Sequence, residues 1–192
     1  MEVRKLDIPA GYDLETQRIV GLFAAQLDNQ LSRLKKDIAG LSTAQLEWQP
    51  RTGVNTVGML LAHLAVVEIF WINVAVNEMP LDTDGEQFAR SVIGIGTNDD
   101  GLPLKPDGAH PESLPGKTLA QYEELLDKAR ASVHNELHTW HDSDLETIFA
   151  LRDRRVTRSW TVYHVLEHFA SHYGQILMLK HMMRDAGVLA PK

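Results

Sequence analysis

The sequence predicts an all-α protein: a four-helix bundle in which a long crossover joins the second helix to the third. Three observations predict it. Four segments of roughly 20 to 27 residues repeat their apolar residues at the three-to-four spacing of a helix face. The links between the first and second helices and between the third and fourth are shorter. Residues 80–117 instead hold five prolines and six glycines, a connection long enough to travel the length of a bundle. Helices 2 and 3 can then run parallel, in up-down-down-up order.

The first helix follows Asp13, a candidate N-cap, and carries Ile19, Leu22, Phe23, Leu27, Leu31, Leu34 and Ile38 until Gly40 ends it. Ser42 and Gln45 form a capping box for a short helical turn bearing Leu46, closed by Trp48-Gln49-Pro50. The second helix starts at Asn55 or Thr56 and runs to about Glu78. It is apolar nearly all round, as a helix in the middle of a bundle should be. One short helix, near Glu86 to Val92, is expected within the crossover. Thr118 and Gln121 make a second capping box, after which Leu119, Tyr122, Leu126, Ala129, Val133, Leu137 and Trp140 mark the stripe of the third helix. LETIFALRDRRVTRS reads as an extended excursion or small hairpin. Ser159 is the candidate cap of the fourth helix, which Gly187 stops.

At 192 residues, 44% hydrophobic and 23% charged, the chain is read as one domain spanning 1–192. A formal charge of −7 gives no general field for phosphate backbones or anionic lipid, so neither nucleic acid nor membrane is an expected partner. The longest apolar stretch, Val57 to Val76, contains His63, Glu68 and Asn73, which suits a buried helix better than a bilayer span. The absence of cysteine removes thiolate chemistry and leaves His with Asp/Glu for metal binding. With no apolar run in MEVRKLDIPAGYDLE, the expected location is the cytoplasm.

Chemistry concentrates in the fourth helix, where His164, His168 and His172 recur every fourth residue, about 40° apart around the axis. The apolar arc Val165, Phe169, Ile176, Leu179 and Met183 puts His172 at its inner edge, His168 further out and His164 further still. His63 on the second helix lies in line with Val67, Phe70 and Val74 and should point inward, where a neutral imidazole needs a partner. Three neutral imidazoles from His63, His168 and His172 would hold a divalent first-row ion and leave positions open for water or substrate. A rival set, His134, His138 and His141, sits off the apolar stripe of the third helix and reads as a solvated flank. His181 is also expected in solvent.

The segments NTVGMLLAHLAVVE around His63 and HVLEHFASHYGQI around His168 and His172 resemble the DinB-like superfamily of metal-binding four-helix bundles, to which the YfiT-like metal-dependent hydrolases belong. The shared pattern falls on His63-Leu64, on the pair His168 and His172, and on Gly174-Gln175-Ile176. The resemblance implies a left-handed bundle, a three-histidine site for zinc or nickel, with manganese or iron as further options, and a homodimer. It implies a small-molecule substrate, with hydrolysis or transfer dependent on a low-molecular-weight thiol as the reaction. It does not require His164, which is assigned to the second shell of the metal or to substrate. Tyr173 stands where the family commonly has an Arg, which removes one expected anion contact.

Other residues have plainer readings. Glu68 and Glu167 lie on helix sides away from the site. Phe70 and Trp71 read as core. Arg152, Arg154, Arg155 and Arg158 read as a solvated basic loop, with anchoring of an anionic substrate as the alternative. Gly174, costly in mid-helix by about 1 kcal/mol, calls for a close helix approach or open space above the metal. Two rival functions stand beside the enzyme: a non-catalytic metal-binding stress-response bundle, and a bundle whose histidines satisfy one another, with its apolar second helix as a dimer face.

Overall fold

The computed structural model describes residues 5–97 and 114–190 and is mostly helical. Its helices are α1 (Arg18–Ile38), α2 (Thr43–Leu46), α3 (Val57–Glu68), α4 (Glu86–Ile93), α5 (Leu119–Leu137) and α6 (Arg158–Asp185), with an antiparallel hairpin of β1 (Ile148–Leu151) and β2 (Arg154–Thr157) just before α6. Helix α3 packs against both α5 and α6, and α1 packs against the same two, so the long helices close a ring around the core. Of the crossover expected over 80–117, the short helix near Glu86 to Val92 is present as α4, preceded by one π-helical turn at Leu81–Gly85, and residues 98–113 lie outside the described residues.

Local chemistry explains most boundaries. Ser42, Thr56 and Thr118 each accept a hydrogen bond from the backbone N–H three residues on, and in each case the side chain at that third position returns to the cap backbone. Gly40 and Gly187 sit at positive φ and stop α1 and α6.

Two caps differ from expectation. Asp13 does not cap α1; it organises a preceding turn through Glu15, Thr16 and Gln17. The N–H groups of Ile19 and Val20 instead donate to the carboxylate of Asp142, at 2.9 and 3.0 Å. An anion satisfies these orphan donors and complements the positive end of the helix wherever in the chain it comes from. At α6, Thr157 rather than Ser159 accepts from the Trp160 N–H, and Ser159 bonds back to Thr157.

The second long helix also changes character. It is α-helical through Glu68 and widens to π geometry over Ile69–Ala75 before a turn in which Glu78 takes a φ of +49°. Val57–Ala75 is apolar and long enough to cross a bilayer, but 83% of it is buried inside the protein. Gly58 is one reason it lies so close to α5: a Cβ there would stand 2.6 Å from the Tyr122 hydroxyl.

One ion pair interrupts this apolar interior. Arg130 of α5 and Glu68 of α3 are 5% and 2% exposed, joined at 2.6 and 3.1 Å, and Arg130 also reaches Asp28 of α1 at 3.1 Å. Glu68 is therefore away from the histidines, as expected, but holds helices together. His134 corrects the solvated-flank reading. It is half-buried, accepts from the Tyr12 hydroxyl at 3.0 Å, and donates to Asp28 at 3.0 Å. His138 is exposed on its outer side yet stacks on Tyr12, with ring centroids 4.1 Å apart.

Candidate metal centre

Helix α3 is closely packed around His63, with Met59, Leu60, Leu61, Ala62, Leu64 and Ala65 fully covered, while the His63 ring itself is half-buried. Helix α6 seats itself on the core through Val165, Phe169, Ile176, Leu179 and Met183, all buried, which leaves His168 and His172 half-buried along the edge facing α3. The two helices pack together and the rings meet.

The meeting point is defined by nitrogen atoms. His168 Nε2 lies 2.9 Å from His63 Nε2 and 3.1 Å from His172 Nε2. Among the described residues, these three form the one His/Asp/Glu group whose ligand atoms all fall within 4.8 Å of one another. His134, His138 and His141 make no such group.

Protonation follows from the surroundings. Burial, reinforced by the neighbouring His63, His172 and His164, pushes the His168 imidazolium down to about 3, so this ring is neutral near pH 7. Burial also lowers His172, against the opposing hydrogen bond from Gln175. The His172 Nδ1–H donates to Gln175 Oε1 at 3.0 Å, which leaves the Nε2 lone pair facing the cluster.

Three imidazole nitrogens packed this closely cannot all satisfy one another, since each neutral ring brings a single N–H. A shared cation resolves the conflict: nitrogens on one tetrahedral centre at about 2.1 Å stand about 3.4 Å apart, against 2.9 and 3.1 Å from His168 to its two neighbours and no more than 4.8 Å for any pair. The donor set therefore fits a divalent metal, with Gln175 as an outer partner that orients His172.

A cavity of about 360 Å³ opens beside the cluster, and His63, His168 and His164 form part of its wall. Phe70 and Trp71, expected to be core, line it instead. The π-helical segment contains both, and their side chains are only half-buried. His164 is held in an aromatic clasp: it stacks on Trp160 with ring centroids 4.9 Å apart and planes 5° from parallel, while Trp71 meets it edge-on at 4.8 Å. Its Nδ1–H donates to Glu167 at 3.1 Å. Glu167 is therefore outside the cavity, as expected, but orients a residue within it. Arg152, Asp82 and Thr97 complete the polar part of the lining.

Tyr173 points elsewhere. It is buried against α1, its hydroxyl donates to Asp37, Arg33 lies over its ring at 5.7 Å, and burial with Asp37 pushes the phenol up to about 12. Of the two reasons expected for Gly174, a close helix approach is absent and the position faces open space, since a Cβ there would meet nothing within 4 Å. His181 is exposed, as expected.

A mostly helical protein with three converging imidazoles beside a cavity is the class these features define. The chain belongs to the DinB superfamily, whose family model matches residues 26–176 and so includes all three histidines. Among solved structures it is similar to a conserved protein from Enterococcus faecalis, at 18% identity and a TM-score of 0.65, covering 85% of this chain and 96% of that one. It is also similar to a DinB-like protein from Bacillus cereus, at 20% identity and a TM-score of 0.50, covering 94% and 99%. At these identities the likeness is one of fold. No functionally curated protein matches the sequence.

Proposed function

We propose that this protein is a metal-dependent enzyme in which His63, His168 and His172 bind one divalent ion, with zinc or nickel as the first choices and manganese or iron as alternatives. The reaction is hydrolysis or transfer involving a low-molecular-weight thiol. The observation that carries this reading is the convergence of three imidazole nitrogens, with His63 and His168 at the wall of a cavity large enough for a small molecule. The cavity favours turnover over passive metal storage. The ring of α1, α3, α5 and α6 is read as the up-down-down-up four-helix bundle of a single domain, working as a cytoplasmic homodimer on a small-molecule substrate.

A bound ion would supply Lewis acidity, favouring the anionic form of a water or thiol near neutral pH or polarising a carbonyl. The remaining work belongs to the chain. Gln175 holds the proton on His172 Nδ1 and so presents Nε2. Phe70 and Trp71 offer an apolar wall that excludes water from one side of a substrate. His164, whose Nδ1–H is committed to Glu167, has Nε2 left to accept a proton or a substrate hydrogen bond at the cavity wall.

The test begins with metal analysis of protein purified without a histidine tag and refilled with zinc or nickel. About one ion per chain is expected, falling severalfold in His172→Ala. Negligible metal in the wild type would refute the reading. Full metal in the variant would refute the ligand assignment. A screen of ester, amide and thiol-transfer substrates on the loaded protein then separates enzyme from passive binder.

A further inference from the structure

The basic cluster before α6 is read from sequence as one solvated loop, but the hairpin register separates its members. Arg154 and Arg155 are exposed on β2, paired with Leu151 and Ala150, and Arg158 begins α6, where its guanidinium lies 4.6 Å over the Trp140 ring. Arg152 alone of the four lines the histidine cavity, together with His63, His164 and His168.

Its backbone is unusual. Arg152 opens the two-residue turn between Leu151 and Arg154 and has a φ of +54°, in the region where turns of this kind favour glycine or asparagine. The only other non-glycine residue at positive φ among the described residues is Glu78, and the two are coupled. Glu78 accepts the Ala150 N–H at 3.0 Å, tying the hairpin to the end of the α3 π-helical segment, while Phe149 and Leu151 are buried beneath it. The two uncommon backbone positions border a neighbouring hollow together with Ala150 and Leu151, and from the same firmly seated hairpin Arg152 also borders the histidine cavity. Strained conformations held by their surroundings concentrate at ligand sites. Among the described residues, the Arg152 side chain makes no ion pair or hydrogen bond.

The charge balance points the same way. Asp82 is the one carboxylate in the lining. If the histidines hold a divalent ion, that ion and Arg152 outweigh Asp82, leaving a cationic cavity in a protein whose formal charge is −7. An occupant that satisfies the whole cavity has a metal-seeking atom at one end, an apolar or aromatic body against Phe70 and Trp71, and a negative charge at the other end. A planar guanidinium matches a carboxylate bidentately.

We propose that Arg152 is a specificity-determining residue that selects substrates bearing a carboxylate remote from the atom that meets the metal. The inference rests on the metal reading above. It needs no knowledge of the natural substrate to be tested. Cobalt(II)-loaded protein is titrated with 4-(mercaptomethyl)benzoate and with its uncharged counterpart, 4-(mercaptomethyl)benzyl alcohol, following the thiolate-to-cobalt charge-transfer band.

Wild-type protein is expected to bind the benzoate about fivefold more tightly than the alcohol, the upper range for a solvated ion pair. Arg152→Gln and Arg152→Gly are expected to bring that ratio to about one while leaving the alcohol's affinity unchanged, the glycine variant also relieving the turn. Arg152→Lys keeps an intermediate preference, because charge remains without the fork. Equal binding of the two probes by wild type, or a preference that survives in both neutral variants, overturns the assignment of Arg152 while the metal site stands. Failure of the wild type to give any cobalt spectrum overturns the metal reading, and this inference falls with it.

Discussion

Replacing Glu68 with Ala should be among the most damaging single changes to this fold. The Glu68 carboxylate is 2% exposed and makes two bonds to Arg130, itself 5% exposed. Without it, the guanidinium remains inside the protein with only Asp28 at 3.1 Å, a carboxylate whose side chain is 38% exposed and shared with His134. Breaking a buried pair from one side costs about 3–5 kcal/mol, because the stranded charge cannot regain its hydration. Partial compensation by Asp28 and by the Phe169 ring, 5.8 Å from the guanidinium carbon, places the expectation at about 3 kcal/mol. With a urea dependence of about 2 kcal/mol per molar, the unfolding midpoint should fall by about 1.5 M. The double variant Glu68→Leu/Arg130→Met should recover most of that loss, since a hydrophobic replacement removes both desolvation penalties together. A loss below about 1 kcal/mol in Glu68→Ala, or a double variant as unstable as the sum of the singles, would refute the argument that an uncompensated charge dominates.

Three further outcomes are expected. Gln175→Ala, at an exposed position, should leave the unfolding midpoint unchanged but weaken metal affinity by about 10- to 100-fold in competition with a chelator, because His172 loses the partner that fixes its tautomer; unchanged affinity would remove that role. Gly174→Ala should stabilise the protein by about 0.5–1 kcal/mol in thermal unfolding, since the new methyl meets open space and helical glycine is costly; destabilisation would mean the glycine has a contact partner. For metal-free protein, the His168 imidazolium is depressed to about 3 in the fold against an ordinary value near 6.5. The unfolded chain therefore takes up a proton that the folded one refuses, and stability should decline as pH falls from about 6.5 toward 3. His168→Gln should flatten that decline, as followed by urea titrations across the range.

Local rules were readable from the chain alone. The cap-and-return pairs at Ser42 and Thr118 involve residues three apart, and the apolar arcs of α1, α5 and α6 follow the helical period, so these elements could be placed before any contact was known. The convergence of His63 with His168 was legible for a related reason: both face inward from helices whose apolar sides must meet. What could not be read depended on partners distant in sequence. Asp142 caps α1 across 123 residues, and the partners that take His134 out of solvent, Tyr12 and Asp28, are on other elements. Phe70 and Trp71 were hidden for another reason. A helix apolar all round does not reveal which side opens on a cavity, and nothing in IFWINVA announces the wider π turn that carries them. Arg152 differs from its three neighbouring arginines only through hairpin register, which periodicity does not reveal.

The remote cap also sets an order of events during synthesis. A ribosome adding about 5–20 residues per second delivers Asp142 about 6–25 seconds after Ile19. Through that interval the first N–H groups of α1 lack their carboxylate, and the nascent helix begins with open donors. His63 waits comparably long, since His168 follows it by 105 residues. The earliest moment at which the chain can gather its histidines therefore comes after α1 has received its cap. An emerging chain exposes single imidazoles to cellular metal long before it can offer the set.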